Sequence, residues 1–178
     1  KDAYQEALRV YDKDRFPMDY AMTYECLGSI HRKMAAVEND KDNYFKALEC
    51  YHKALDVFGL EKDPLEYAMT YNNIGITYIN LCEIDNDVDA CHRAIESFVE
   101  ALKIRTKDDY PMLYACTKND LGTAYSILSQ MENKQQNIKY ALDAYDSALH
   151  IFTEIEYPEM YHLIMKNIKE LIAIGKKE

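Results

Sequence analysis

Glycine and proline are scarce in this chain, five and four residues respectively among 178. That scarcity excludes a loop-rich or low-complexity protein and favours ordered, mostly helical structure. Basic residues are also few: 21 Lys and Arg stand against 31 Asp and Glu, a net charge of −10. They are scattered among carboxylates, so the clustered positive charge that grips phosphate backbones or anionic membranes is missing. Neither nucleic acid nor membrane is expected as a partner. No apolar run approaches the roughly 20 residues of a membrane span, and no signal peptide is visible. The five cysteines, Cys26, Cys50, Cys82, Cys91 and Cys116, form no C-x-x-C pair and are odd in number. This points away from a disulfide framework or zinc site and toward a reduced, cytoplasmic setting. Cys82 and Cys91 flank one short loop, and the expectation for them is two small apolar fillers.

Signatures of catalysis are lacking too. There is no Gly-rich phosphate loop, no G-x-S-x-G and no H-E-x-x-H. The five histidines share no metal-ligand spacing with a carboxylate or cysteine, and His31 reads as a packing residue. The Asp85–Asp89 run lacks the turn glycine and distal glutamate of a calcium loop, so helix capping is the better reading. The expectations are no enzyme, no cofactor and no metal.

What is present is a repeat. The four prolines, Pro17, Pro64, Pro111 and Pro158, fall at intervals of 47 residues, each followed three positions later by Tyr20, Tyr67, Tyr114 or Tyr161. Further columns share the period: Gly28, Gly75 and Gly122; Ala47, Ala94 and Ala141; Tyr4, Tyr51, Phe98 and Tyr145; Leu8, Leu55, Leu102 and Leu149. A fixed period of this length means stacked copies of one supersecondary unit. Proline suits the first turn of a helix. A first helix of about 20 residues therefore starts at each proline and runs to the neighbourhood of Val37, Glu83 and Met131, with a last one from Pro158 to about Ile174. Polar connections at Glu38–Asn43, Asp85–Asp87 and Glu132–Asn137 lead into second helices over roughly Asn43 to Leu60, Val88 to Thr106 and Ile138 to Ile155. Asp63 is expected to cap the helix at Pro64 through its carboxylate, and Gly175 to cap the last helix, with lysines beyond it. The mid-helix glycines cost helix stability and need a packing reason, which the alanine column on the partner helix supplies.

The chain thus divides into a second helix of a truncated unit (1–16), full units at 17–63, 64–110 and 111–157, and a terminal helix (158–178). It starts at Lys1 in mid-repeat and reads as a piece of a longer protein. The final copy carries Lys169 at the glycine column and Ile172 at the tyrosine column. It is either an atypical capping helix or a unit whose packing continues elsewhere.

The combination [Leu/Ile]-Gly-x-x-Tyr on one helix and Ala-x-x-x-[Phe/Tyr]-x-x-Ala on the next resembles the tetratricopeptide repeat (TPR), with Tyr24 and Tyr71 where that family usually has tryptophan. The departure is length, 47 residues against a usual 34, similar to extended repeats of bacterial and archaeal proteins. The resemblance implies an all-α, right-handed solenoid of about eight antiparallel helices. It also implies a concave groove, lined by first helices, that takes a peptide or partner helix. Groove positions follow by carrying over the motif: Met22, Met69, Cys116 and Leu163; Glu25, Asn72, Asn119 and Lys166; Ser29, Ile76, Thr123 and Glu170; Lys33, Asn80, Ile127 and Ile174. Asn72 and Asn119 are either a carboxamide ladder for an extended peptide or simply tolerated exposed residues. The carboxylate clamp of chaperone-binding members is absent, since Glu25 stands at its first position. The expected function is a non-catalytic protein-interaction scaffold. The alternative is a regulatory or sensor segment of a larger protease or NTPase, contacting its own chain. An apolar array end at residues 1–15 is a candidate surface for weak self-association.

Overall fold

The computed structural model describes residues 2–38 and 40–176. Lys1, Asn39 in the first polar connection, and the tail residues Lys177 and Glu178 lie outside the described residues. The described residues form eight α-helices and no strand: α1 (Asp2–Ala7), α2 (Pro17–Glu38), α3 (Lys41–Leu55), α4 (Pro64–Asp85), α5 (Val88–Leu102), α6 (Pro111–Leu128), α7 (Lys134–Leu149) and α8 (Pro158–Gly175). First helices α2, α4, α6 and α8 alternate with second helices α1, α3, α5 and α7. The closest packing is within each pair, α2 on α3, α4 on α5 and α6 on α7, and each second helix then packs on the first helix of the following unit. Successive first helices touch one another, whereas successive second helices do not. The stack is therefore a solenoid of antiparallel pairs that curves with its first helices on the inner side.

The mid-helix glycines have a packing cause different from the one expected. A Cβ on Gly28 would lie 2.6 Å from the Tyr51 ring, one on Gly75 2.6 Å from Phe98, and one on Gly122 2.7 Å from Tyr145. An aromatic ring, rather than an alanine, fills the space each glycine leaves. These rings are almost wholly out of solvent, so in every pair the second helix is keyed to the first by ring against glycine.

The second helices end about five residues earlier than apolar spacing suggests, at Leu55, Leu102 and Leu149. Likewise α1 stops at Ala7, where a helix to about Arg15 was expected. Beyond the last helical residue the chain tightens into turns, with Phe58 N–H and Phe152 N–H bonding back to the carbonyls of Ala54 and Ala148. Phe58 and Phe152 then fold into the core. Helix spacing and a tight turn both place an apolar residue four positions on, so periodicity alone cannot separate them. The turns carry a local signal that hydrophobicity misses: Asp12, Thr106 and Thr153 side chains accept backbone N–H groups two or three residues on.

Caps differ in part. Asp40 and Asp87 cap α3 and α5 through their carboxylates. Asp63 stands at the start of α4, but its side chain makes no capping bond, and Oδ2 is buried without a partner. Gly175 is the last helical residue rather than a left-handed cap. Its bare Cα accommodates Ile138, whose Cδ1 would lie 3.3 Å from an added Cβ. The clearest correction concerns cysteine. Cys82 and Cys91 are joined by a disulfide, their Cα atoms 5.4 Å apart. Spacing across a helix connection is no cysteine motif, yet the last buried turn of α4 faces the first turn of α5, which brings the two thiols together.

Candidate functional site

The inner face is built from one side of α2, α4, α6 and α8. Of the positions expected there, Met22, Lys33, Met69, Leu163, Lys166 and Glu170 are exposed. Glu25, Ser29, Ile76, Asn80, Cys116, Thr123, Ile127 and Ile174 are half-buried. Met22, Met69 and Leu163 are 56%, 39% and 44% exposed, so this column presents open, large apolar side chains on α2, α4 and α8 and is interrupted on α6 by half-buried Cys116.

Asn72 and Asn119 are buried, and the structure supports neither an open carboxamide ladder nor two tolerated surface residues. Asn72 Oδ1 accepts a 2.7 Å bond from the Thr117 hydroxyl of the following unit, and that hydroxyl accepts a 3.0 Å bond from Arg105. This trio ties α4 to α6. Arg105 occupies the column filled by Phe58 and Phe152 in the neighbouring units. Burial pushes its pKa down, and no carboxylate lies within ion-pair distance among the described residues. At the next junction the same columns read Asn119, Phe152 and Ile164. With isoleucine in the threonine position, Asn119 Oδ1 has no donor and is buried unpaired.

The neighbouring column was missed from sequence. Asn73 donates a 2.7 Å bond to Glu25 of the preceding unit. One unit on, the corresponding Asp120 faces the amides of Asn72 and Asn119. Its carboxyl sits largely out of solvent, which pushes its pKa up to about 6 against the pull of those amides and of Arg105 and Arg32. Burial likewise raises Glu25, opposed by Asn73 and Arg32. The inner face thus carries two shielded carboxylates held by amides from adjacent units.

Ring hydroxyls complete it. Tyr51 OH lies 3.3 Å from Ser29 Oγ, and Tyr145 OH 3.2 Å from Thr123 Oγ1. In the middle unit Phe98 replaces tyrosine and Ile76 replaces Ser or Thr, and the two join one apolar cluster. The columns at 29, 76 and 123 and at 51, 98 and 145 therefore change together, a signal present in the sequence and readable once the two columns are known to touch. Past Tyr145, between the end of α4, the outer half of α6 and α8, opens a cleft of about 210 Å³. Glu83 and Glu170 line it, with Thr123, Tyr145 and Asn167 and the apolar Ile127 and Ile174.

His31 is buried, its Nδ1 2.9 Å from Asn43 Oδ1, a packing role with a hydrogen bond. No helix among the described residues is long and apolar enough to cross a membrane. Comparison of the chain with protein-family models, with curated proteins and with solved structures gives no match.

Proposed function

We propose that this chain is a non-catalytic scaffold, a TPR-like array of extended units whose inner face binds a peptide or helix of a protein partner. The observation that carries this reading is the open column Met22, Met69 and Leu163 on the inner side of a curved stack. Each of these side chains is large, apolar and left uncovered, whereas the rings of the tyrosine column are folded inward. Methionine adapts to differently shaped apolar partners, and an amphipathic helix or extended segment laid across first helices meets such a residue on α2, α4 and α8, with the smaller, half-buried Cys116 on α6. The buried polar bonds between units hold the spacing of these contacts fixed, which lowers the ordering cost of binding.

A cytoplasmic setting belongs to the same proposal. Disulfides are uncommon there, so the Cys82–Cys91 bond is the feature to test. Protein isolated from its native cells under thiol-blocking conditions tests this: five blocked thiols fit the cytoplasm, whereas three (Cys26, Cys50 and Cys116) place it in an oxidising compartment.

The groove itself is tested by quantitative capture from native lysate with the wild-type chain and with Met69→Asp/Leu163→Asp. Both positions are exposed, so the variant should keep its helicity and lose the partner. A partner captured equally by both proteins rules the inner face out.

A further inference from the structure

We propose that the cleft between α4, α6 and α8 receives a lysine or arginine side chain of the bound partner, an inference that rests on the groove reading above. The argument is chemical. No lysine or arginine lines the cleft among the described residues, while the exposed Glu83 of α4 and Glu170 of α8 both do. Glu83 has no ion pair among the described residues. Glu170 has one ion pair among the described residues, to Lys166 at 3.8 Å, between two exposed side chains that solvent screens. Behind Tyr145 stands the third carboxylate, Asp120, near enough to bear with Glu170 on the tyrosine hydroxyl.

The rest of the lining suits the same guest. Tyr145 and Thr123 hydroxyl oxygens and the Asn167 carboxamide offer acceptors for a multi-donor cation. Ile127 and Ile174 offer apolar surface for the methylene stem, which long basic side chains bury while their heads stay polar. An acidic or phosphorylated guest meets like charge from both glutamates, and a purely apolar one leaves their carboxylates stripped of water. The net charge of −10 favours the approach of a basic segment from any direction.

One of these glutamates is also held in place. Glu83 follows Cys82, whose disulfide to Cys91 anchors the last turn of α4, and Asn86, just past the helix, caps it in the left-handed conformation. Wherever that bond is formed, the carboxylate is presented from a covalently tied helix end.

The test is selection of a phage-displayed library of 12-residue peptides on the immobilised full chain. Fluorescence anisotropy then follows with the strongest peptide and with its twin carrying norleucine for each Lys or Arg. The expected result is enrichment of Lys or Arg at one fixed position, and at least a tenfold loss of affinity both for the norleucine twin and on Glu83→Gln/Glu170→Gln. Peptides without a fixed basic position, or ones that keep their affinity for the glutamine variant while losing it on Met69→Asp/Leu163→Asp, overturn this inference and leave the groove reading standing. Peptides indifferent to both variants, or no enrichment above bare support, overturn both.

Discussion

Tyr145 lays its ring against Gly122, and its hydroxyl reaches Thr123 Oγ1 at 3.2 Å. One residue pair thus joins the buried seam between α6 and α7 to the inner face. The geometry makes the glycine a packing requirement, since an added Cβ falls 2.7 Å from ring atoms that are themselves held in the core. Gly122→Ala should destabilise the chain by about 1–3 kcal/mol, although alanine is the better helix former by about 1 kcal/mol. Gly59→Ala is the control: the nearest atom to an added Cβ there is 3.9 Å away, and the change should be near neutral. Urea unfolding followed by circular dichroism measures both, and equal effects would contradict the ring-on-glycine account.

Arg105 stands where the neighbouring units have core phenylalanines. A buried cation without an ion-pair partner carries a desolvation cost that a well-packed apolar side chain of similar volume does not. Arg105→Phe should therefore hold or raise stability, by up to about 3 kcal/mol. Thr117→Val removes the donor to Asn72 and leaves a buried amide oxygen unpaired, at a cost of about 1–3 kcal/mol. If Arg105→Phe is instead the more damaging change, the guanidinium is holding the α4–α6 junction together.

Much of this was legible in the residues. The 47-residue period gave the number of helices, and the prolines gave the start of every first helix from α2 onward. The second helices were drawn too long because Phe58 and Phe152 continue a helical spacing while sitting in turns. The inner face was harder to read. Asn72 and Asn119 lie on the expected side of their helices, but whether a side chain points into a groove or into the junction with the next helix depends on interhelix distance. One sequence does not carry that distance. The paired change of Ile76 with Phe98 against Thr123 with Tyr145 was visible, yet meaningless until the columns were seen to touch. The disulfide escaped for a similar reason, since nine residues of separation describe a contact only when the intervening helix ends are in place.

Reduction of the Cys82–Cys91 bond reopens a short loop in the unfolded chain. Loop-closure entropy for about ten residues gives a loss of about 2–3 kcal/mol. Thermal unfolding with and without a phosphine reductant should show a lower Tm in the reduced protein, and Cys82→Ala/Cys91→Ala should remove the difference. Burial pushes Cys50 up to about 11 and raises Cys116 as well, so neither of these is poised as a reactive thiolate. A Tm indifferent to reductant would mean that the staple carries no stability.

Asp120 predicts a pH dependence with a definite sign. Its folded pKa of about 6 lies above the ordinary 3.8, so the folded chain binds this proton more tightly than the unfolded one. Stability from this group is present below about pH 4 and is lost as the pH rises through 6, by about 1–3 kcal/mol in all. The charged or titratable groups bearing on Asp120 are Arg105, Arg32, Tyr145 and Cys116, none of which changes charge in that window. Asp120→Asn should flatten the profile between pH 4 and 6 in urea titrations. An unchanged slope would assign the dependence to other carboxylates.

The most direct test of the inner face as the binding surface is site-specific photo-crosslinking in native lysate, with a photoreactive phenylalanine at position 163 or at position 99. Leu163 lies on the inner column and Val99 is exposed on the second helix α5, at 44% and 48% exposure, so accessibility does not separate them. The account predicts a discrete protein adduct from position 163 and none from position 99. Adducts from position 99 alone would place the partner on the outer face and contradict it.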